Sequence, residues 1–125
     1  IEYSNKIMKE YDVRPSSPNL LTSNFSGGNQ QKIILSRELN EKPKVLLVGQ
    51  PTRGVDIGAI EFIHQRLIDM RNKGAAILLA SVELEEVLSL SDRIIVMFDG
   101  KIVGEKVNKN VTDRELGLLM AGVTE

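Results

Sequence analysis

The residues that most clearly suggest chemistry are Ser26-Gly27-Gly28, which stand directly before a segment with helical periodicity. Two adjacent glycines free the backbone from Cβ crowding, and Ser26 can cap the helix that follows. Several backbone N–H groups at the positive end of that helix would then face an anion. An apolar strand that ends in Gly49-Gln50-Pro51-Thr52 comes shortly afterwards. Together the turn and the strand predict chemistry on a phosphate or a nucleotide, although the end of the strand lacks the acids that hydrolysis would need.

Composition limits the other classes of function. The 125 residues amount to a single domain or part of one, and their formal net charge of −1 leaves no basic footprint for nucleic acid or an anionic membrane. The absence of cysteine excludes disulfides and thiolate metal sites, and with His64 as the single histidine we predict no metal site. No apolar run approaches the roughly 20 residues of a membrane span, and no signal peptide opens the chain, so we expect a soluble, cytoplasmic protein. Because the chain begins with Ile1 rather than methionine, we expect it to be part of something longer.

Hydrophobic patterning predicts alternating helices and strands. The continuous apolar runs Val45–Val48 and Ile77–Ala80 are typical of strands buried on both faces of a parallel sheet, and a helix between them would make a right-handed crossover unit. Thr112 and Glu115 predict a capping box at the start of a terminal helix that runs to about Ala121. The remaining predicted elements are helices at 1–12, 29–40, 59–73 and 83–90 and a β-hairpin formed by 94–97 and 101–105.

Four segments follow one another in the order expected around a bound triphosphate: Phe25–Lys32, Val45–Gln50, Arg53–Asp56 and Ser81-Val82. In this the chain resembles, over essentially its whole length, the C-terminal half of an ABC transporter nucleotide-binding domain. The four segments are similar to that family's signature motif, Walker B strand, D-loop and H-loop, respectively. The resemblance implies an α/β fold, namely a partial P-loop NTPase lobe with parallel core strands, flanking helices and a C-terminal β-hairpin. The phosphate-cradling Walker A loop is absent from the 125 residues.

Three positions depart from the family pattern. Gly49 and Gln50 stand where the family has the aspartate that helps to hold Mg²⁺ and the glutamate that acts on the attacking water, and Val82 replaces the histidine that contacts the γ-phosphate. Glycine supplies no ligand oxygen, and an amide cannot take a proton from water. A single substitution could be neutral drift, but three at one site predict that no catalytic residue is intact and that this site binds nucleotide without hydrolysing it.

The family works as head-to-tail pairs, in which the signature turn of one domain closes over ATP held by the other. By the resemblance, Ser26 and the Gly28 N–H would contact the γ-phosphate on the partner domain, Gly27 would allow close approach, and Asn29 belongs to the same motif. Asp56 would act at the dimer seam. ATP and Mg²⁺ are therefore expected only in the full assembly. Each helix-terminus contact contributes about 0.3–2 kcal/mol, whereas millimolar affinity needs about 4 kcal/mol, so the turn alone should bind ATP barely or not at all. We therefore expect the chain alone to be inactive.

We interpret the chain as the C-terminal part of the second nucleotide-binding domain in the ATPase subunit of a bacterial importer. Asn29–Lys32 and Leu118–Gly122 look like the simple-sugar branch, and Gly49–Gly54 with Gly58–His64 leans towards nucleoside importers. The implied partners are a nucleotide-binding domain in the same chain, membrane permease subunits and, indirectly, an extracytoplasmic solute-binding protein. The implied location is the inner face of the cell membrane. Two alternatives stay open, a soluble ABC ATPase of translation or DNA repair and a non-enzymatic module that dimerises through exposed sheet edges.

Overall fold

The computed structural model describes residues 1–123, which fall into two compact units, Ile1–Leu78 and the part from Leu79 onward. The predicted helices and strands are confirmed, with ends that differ by a residue or two. None of the helices in this described part is long and apolar enough to cross a membrane. In chain order the elements are α1 Glu2–Glu10, a short 3₁₀ turn Thr22–Asn24, α2 Gly27–Asn40, β1 Val45–Gly49, α3 Ile57–Asn72, β2 Ala76–Ala80, α4 Leu84–Leu90, β3 Arg93–Phe98, β4 Lys101–Val107 and α5 Asp113–Met120.

The first unit is built around the three helices α1, α2 and α3. Their inward faces meet in one apolar cluster, since each helix carries apolar residues at helical spacing. The α3 helix ends where Gly74 adopts a left-handed φ of 96°, the conformation that glycine supplies at a helix C′ position. The buried members of the cluster are Met8, Tyr11, Val13, Phe25, Leu39 and Met70.

Strands β1 and β2 are neighbours in a parallel two-stranded sheet, as the crossover pattern predicts. The prediction that both faces of these strands are buried is wrong for the described chain. Leu46 and Ile77 pack against the helical cluster, whereas Leu47 is 75% exposed and Leu78 is 64% exposed. The reason is that helices of this chain cover one face of the sheet. A continuous apolar run shows that both faces are apolar, but it does not show which of them the same chain covers.

The second unit holds an antiparallel hairpin of β3 and β4 with α4 and α5 packed on it. Asp99 and Gly100 turn the chain with φ values of 47° and 73°, the double left-handed pattern of a tight hairpin turn. The capping box of α5 is confirmed, because the Glu115 N–H donates to Thr112 Oγ1 over 3.3 Å and the Thr112 N–H donates to Glu115 Oε2 over 2.9 Å. Leu116, which is 1% exposed, anchors α5 in the core of the unit.

Candidate functional site

The Ser26-Gly27-Gly28 turn lies at the start of α2, as the sequence predicts. Ser26 has extended backbone dihedrals (φ −61°, ψ 158°) and is the N-cap, with its Oγ accepting from the Asn29 N–H over 3.4 Å. The Asn29 side-chain amide donates to the same oxygen over 2.9 Å. Ser26 and Gly27 are exposed, whereas Gly28 is buried. The structure thus presents the first two residues of the turn to solvent and holds the third in place.

The backbone at this turn offers free donors. The Gln30 N–H is satisfied by the Ser26 carbonyl over 2.9 Å, in the normal helical pattern. The N–H groups of Gly27 and Gly28 have no acceptor within residues 1–123. Two unpaired N–H groups at the positive end of a 14-residue helix, beside a serine hydroxyl, form an arrangement suited to one oxygen-rich anion.

The loop before α3 packs directly against this turn. A Cβ added at Gly28 would lie 3.0 Å from the Ala59 Cβ and 3.0 Å from Asp56 Oδ2, and one added at Gly27 would lie 3.3 Å from the Gly54 carbonyl oxygen. No larger residue fits at position 28 without displacing these neighbours. Two of the motifs named from the sequence, the signature turn and the D-loop, are therefore in van der Waals contact.

The Asp56 carboxylate has a structural task as well as an exposed position. Its Oδ1 accepts from the Ala59 N–H over 3.0 Å and so caps α3, while Oδ2 faces Gly28. Sequence reasoning predicted Asp56 for the dimer seam but did not identify this cap. The signal was present, since an aspartate three residues before the apolar face of a helix is a typical N-cap.

The segment Asp12–Arg14 contacts the first turns of α2 and so supports the signature turn. Sequence reasoning missed these contacts. The Arg14 N–H donates to Asn29 Oδ1 over 2.8 Å. The buried Lys32 ammonium donates to the Asp12 carbonyl oxygen over 3.0 Å and lies 3.4 Å from the Asp12 carboxylate. A hydrogen bond from the Arg14 guanidinium lowers the pKa of the Asp12 carboxyl below its ordinary value. Apart from Asp12 being a turn-forming residue type, the sequence carries no signal for these contacts.

The positions that depart from the family pattern lie at strand ends, as predicted. Gly49 is the last residue of β1, and an added Cβ there meets nothing within 4 Å, so the site has room for a side chain that the sequence does not supply. Gln50 follows with a left-handed φ of 49°. Val82, in the second unit, follows β2 with 62% of its surface exposed. Through residue 123, no group of three or more His, Cys, Asp or Glu is placed to hold a metal ion.

The residues at the end of β1, Gly49 and Gln50, do not fit a Mg²⁺ site. Magnesium in nucleotide sites is bound through one or two carboxylates together with waters and phosphate oxygens, and neither Gly49 nor Gln50 has a carboxylate. What the described arrangement can do is donate hydrogen bonds to an anion at the start of α2. Contacts of that kind contribute about 0.3–2 kcal/mol each.

Comparison with known proteins identifies relatives of this chain by sequence. No family model matches the chain. The guanosine import ATP-binding protein NupO of Bacillus subtilis is 49% identical over 122 residues, which are 98% of this chain and 24% of that protein. The nucleoside import ATP-binding protein NupA of Lactococcus lactis is 49% identical over 120 residues, 96% of this chain and 24% of NupA. The ribose import ATP-binding protein RbsA of Shigella dysenteriae is 40% identical over 122 residues, 98% of this chain and 25% of RbsA.

Solved structures agree on the fold. A dimeric ATP-binding cassette in a post-hydrolysis state with ADP and Pi superposes with a TM-score of 0.73 at 24% identity, over 85% of this chain and 46% of that one. An ATP-binding subunit of an ABC transporter gives a TM-score of 0.75 at 21% identity, over 96% of this chain and 54% of that one. The chain spans about a quarter of the length of the curated relatives it matches. Over nearly its whole length the chain is similar in sequence to part of the ABC transporter ATP-binding proteins for nucleoside and sugar import, and its fold is that of the ABC ATP-binding cassettes.

Proposed function

We propose that the chain is the C-terminal portion of the second nucleotide-binding domain in the ATP-binding subunit of an ABC importer. In this proposal its signature turn completes the ATP site of the other nucleotide-binding domain. The observation that carries the proposal is the exposed turn of Ser26 and Gly27, beside which two backbone N–H groups have no acceptor in the described chain. The γ-phosphate of ATP bound on the partner domain would supply the missing acceptors.

The residues within the turn have different roles in this proposal. The Ser26 hydroxyl and the Gly28 N–H donate to the γ-phosphate, and Gly27, which has no side chain, lets the phosphate approach. Asn29 belongs to the same turn, and Asp56 acts at the seam between the domains while it caps α3. The packing of Gly28 against Asp56 supports this, because it brings the anion-binding turn and the seam residue into contact.

The site that this domain would form with its own Walker B strand is proposed to be non-hydrolytic. At the end of β1 the chain offers glycine and an amide where Mg²⁺ and the attacking water require carboxylates, and Val82 donates no hydrogen bond from its side chain. Mg²⁺ and hydrolysis therefore belong to the composite site in the full assembly. The other domain supplies the Walker A and Walker B residues there, and this chain supplies the signature turn.

Nucleosides are the proposed cargo class. Support comes from 49% identity to the guanosine and nucleoside import proteins against 40% to the ribose import protein over nearly the same residues. A role in import, rather than in translation or DNA repair, is supported because the reported relatives are named for import. The partners are then membrane permease subunits and, through them, an extracytoplasmic solute-binding protein. The subunit would lie on the cytoplasmic face of the membrane.

The test is Ser26→Arg in the complete subunit assembled with its permease. An arginine at this exposed cap fills the space of the phosphate, so we expect ATPase activity and solute uptake to fall by at least about 100-fold, as for removal of a preorganised anion donor. Ser16→Arg, which places the same charge on another exposed serine of the first unit, is the matched control and should retain activity. Wild-type rates in the assembled Ser26→Arg transporter would rule out the proposed role of the turn.

A further inference from the structure

The orientation of the Asn29 side-chain amide is fixed by the Arg14 backbone, which it contacts at the end away from Ser26. The Arg14 backbone N–H lies 2.8 Å from one end of the amide, and because an N–H can only donate, that end must be the carbonyl oxygen Oδ1. The amide nitrogen Nδ2 therefore faces Ser26, 2.9 Å from its Oγ. The direction of this hydrogen bond follows from chemistry, since Nδ2 is a donor without acceptor capacity.

This arrangement determines what the Ser26 hydroxyl can still do. A serine hydroxyl has two acceptor sites and one donor proton. Asn29 occupies both acceptor sites, one through Nδ2 and one through its backbone N–H at 3.4 Å. The O–H proton has no acceptor among the residues that the structure describes, and the side chain is exposed. The remaining hydrogen-bonding capacity of this hydroxyl is therefore its O–H donor, which is directed away from its own chain.

We propose that Asn29 is a positioning residue that fixes the Ser26 hydroxyl as a hydrogen-bond donor towards the γ-phosphate, and that it acts through Ser26 rather than by contacting ATP. The proposal rests on the proposed function, because it needs an anion at the turn. A terminal phosphate oxygen is an acceptor only, so a hydroxyl held with its proton outward matches it without rotation, whereas a hydroxyl with lone pairs outward would repel it.

We call the two successive hydrogen bonds, from the Arg14 N–H to Asn29 and from Asn29 to Ser26, the relay. The charge of Arg14 has no part in it. Its guanidinium pairs with the Asp12 carboxylate over 2.8 Å, and it is the backbone N–H of Arg14 that reaches Asn29. Arg14→Ala removes the guanidinium and leaves the N–H in place. This variant is therefore the matched control, with ATPase activity expected within about twofold of wild type, the range of an ordinary surface substitution.

The decisive variant is Asn29→Asp, which keeps the shape of the side chain and reverses one hydrogen bond. One carboxylate oxygen still accepts from the Arg14 N–H, but the other can only accept, so it draws the Ser26 proton inward. In the complete transporter we expect kcat/KM for ATP to fall by about 10- to 150-fold, the value of a hydrogen bond to a charged group. Asn29→Ala leaves the hydroxyl free to rotate towards phosphate, and we expect a smaller loss of about 2- to 10-fold.

Thermal stability separates positioning from packing. An aspartate in the first turn of α2 interacts favourably with the helix dipole and keeps the bond to Arg14, whereas alanine loses that bond. We therefore expect the melting temperature of Asn29→Asp to equal or exceed that of Asn29→Ala, the reverse of the order in activity. If activity followed stability, with Asn29→Asp the more active variant, the relay would be wrong and Asn29 would have a structural role.

The same two variants made in Ser26→Ala settle whether Asn29 acts through the hydroxyl. Without that hydroxyl there is nothing to orient, so Asn29→Asp should cost at most about twofold, within the usual error of additivity for independent sites. An undiminished loss in this background would mean that the effect does not pass through the Ser26 hydroxyl, and the relay would be refuted. Failure of Ser26→Arg to reduce activity would instead overturn the proposed function.

Discussion

Replacing Gly28 by alanine tests whether the turn at the start of α2 is packed against the start of α3. The new Cβ would lie 3.0 Å from both Ala59 Cβ and Asp56 Oδ2, closer than van der Waals contact allows. Both neighbours must give way by a few tenths of an ångström, and displacing the Asp56 carboxylate would weaken its 3.0 Å bond to the Ala59 N–H. The substitution therefore combines overpacking with damage to a helix cap.

The expected magnitude is a balance of three contributions. Alanine in place of glycine within a helix gains about 0.5–1 kcal/mol. Overpacking costs about 1–3 kcal/mol, and loss of an N-cap costs about 1 kcal/mol. The net expectation for Gly28→Ala is a loss of about 1–3.5 kcal/mol in the free energy of unfolding, because the two costs outweigh the gain even at the low end of their ranges.

Urea unfolding of the 125-residue chain, followed by circular dichroism, measures this difference. Gly117→Ala is the matched control, since Gly117 lies within α5 and an added Cβ meets nothing within 4 Å. It should gain about 0.5–1 kcal/mol, so the two variants should shift the unfolding midpoint in opposite directions. If Gly28→Ala were stabilised as much as Gly117→Ala, the contact between the turn and α3 would be refuted.

Two further predictions concern the second unit. Hydrogen bonds from Thr112 lower the pKa of Glu115 below its ordinary value of 4.5, so the stability that they contribute is complete above that pH and is lost as the pH falls through the folded-state pKa. Melting temperatures of Glu115→Gln should therefore fall less steeply than wild type below about pH 4.5; parallel curves would show that this carboxylate is not coupled to folding. Gly122→Ala should cost more than Gly54→Ala in urea unfolding. Both glycines have left-handed φ values (79° and 74°), but only the Cβ at position 122 would strike the Phe98 ring, 2.5 Å from Cε1. Equal losses would contradict that contact.

Sequence reasoning identified the elements and their caps because those depend on neighbours within a few residues. Ser26, Thr112 and Gly74 each have a residue type that a helix end favours, and each takes the predicted role. The reasoning failed where the outcome depends on residues that are far away in the sequence. Nothing in the pattern of Val45–Val48 indicated that one face of β1 stays uncovered in the described chain.

Within the candidate site, the prediction covered the residues that would face an anion and missed those that hold them. Gly28 was assigned to contact with phosphate, and the structure adds that its lack of a side chain is also required by Asp56 and Ala59. The support from Arg14 to Asn29 spans 15 residues and joins a loop to a helix, so no periodicity could reveal it. Whether the turn contacts ATP stays a prediction that the Ser26 variants test.

The hydrogen bonds Arg14–Asn29 and Asp12–Lys32 have a consequence for the loop that lies between them. They fasten the end of the α1 region to the first turns of α2, so the connection from Pro15 to Asn24 begins and ends at fixed points. Lengthening a loop between fixed ends costs little, about 0.6 kcal/mol per doubling. An insertion or an epitope tag in that stretch should therefore leave the geometry of Ser26 intact.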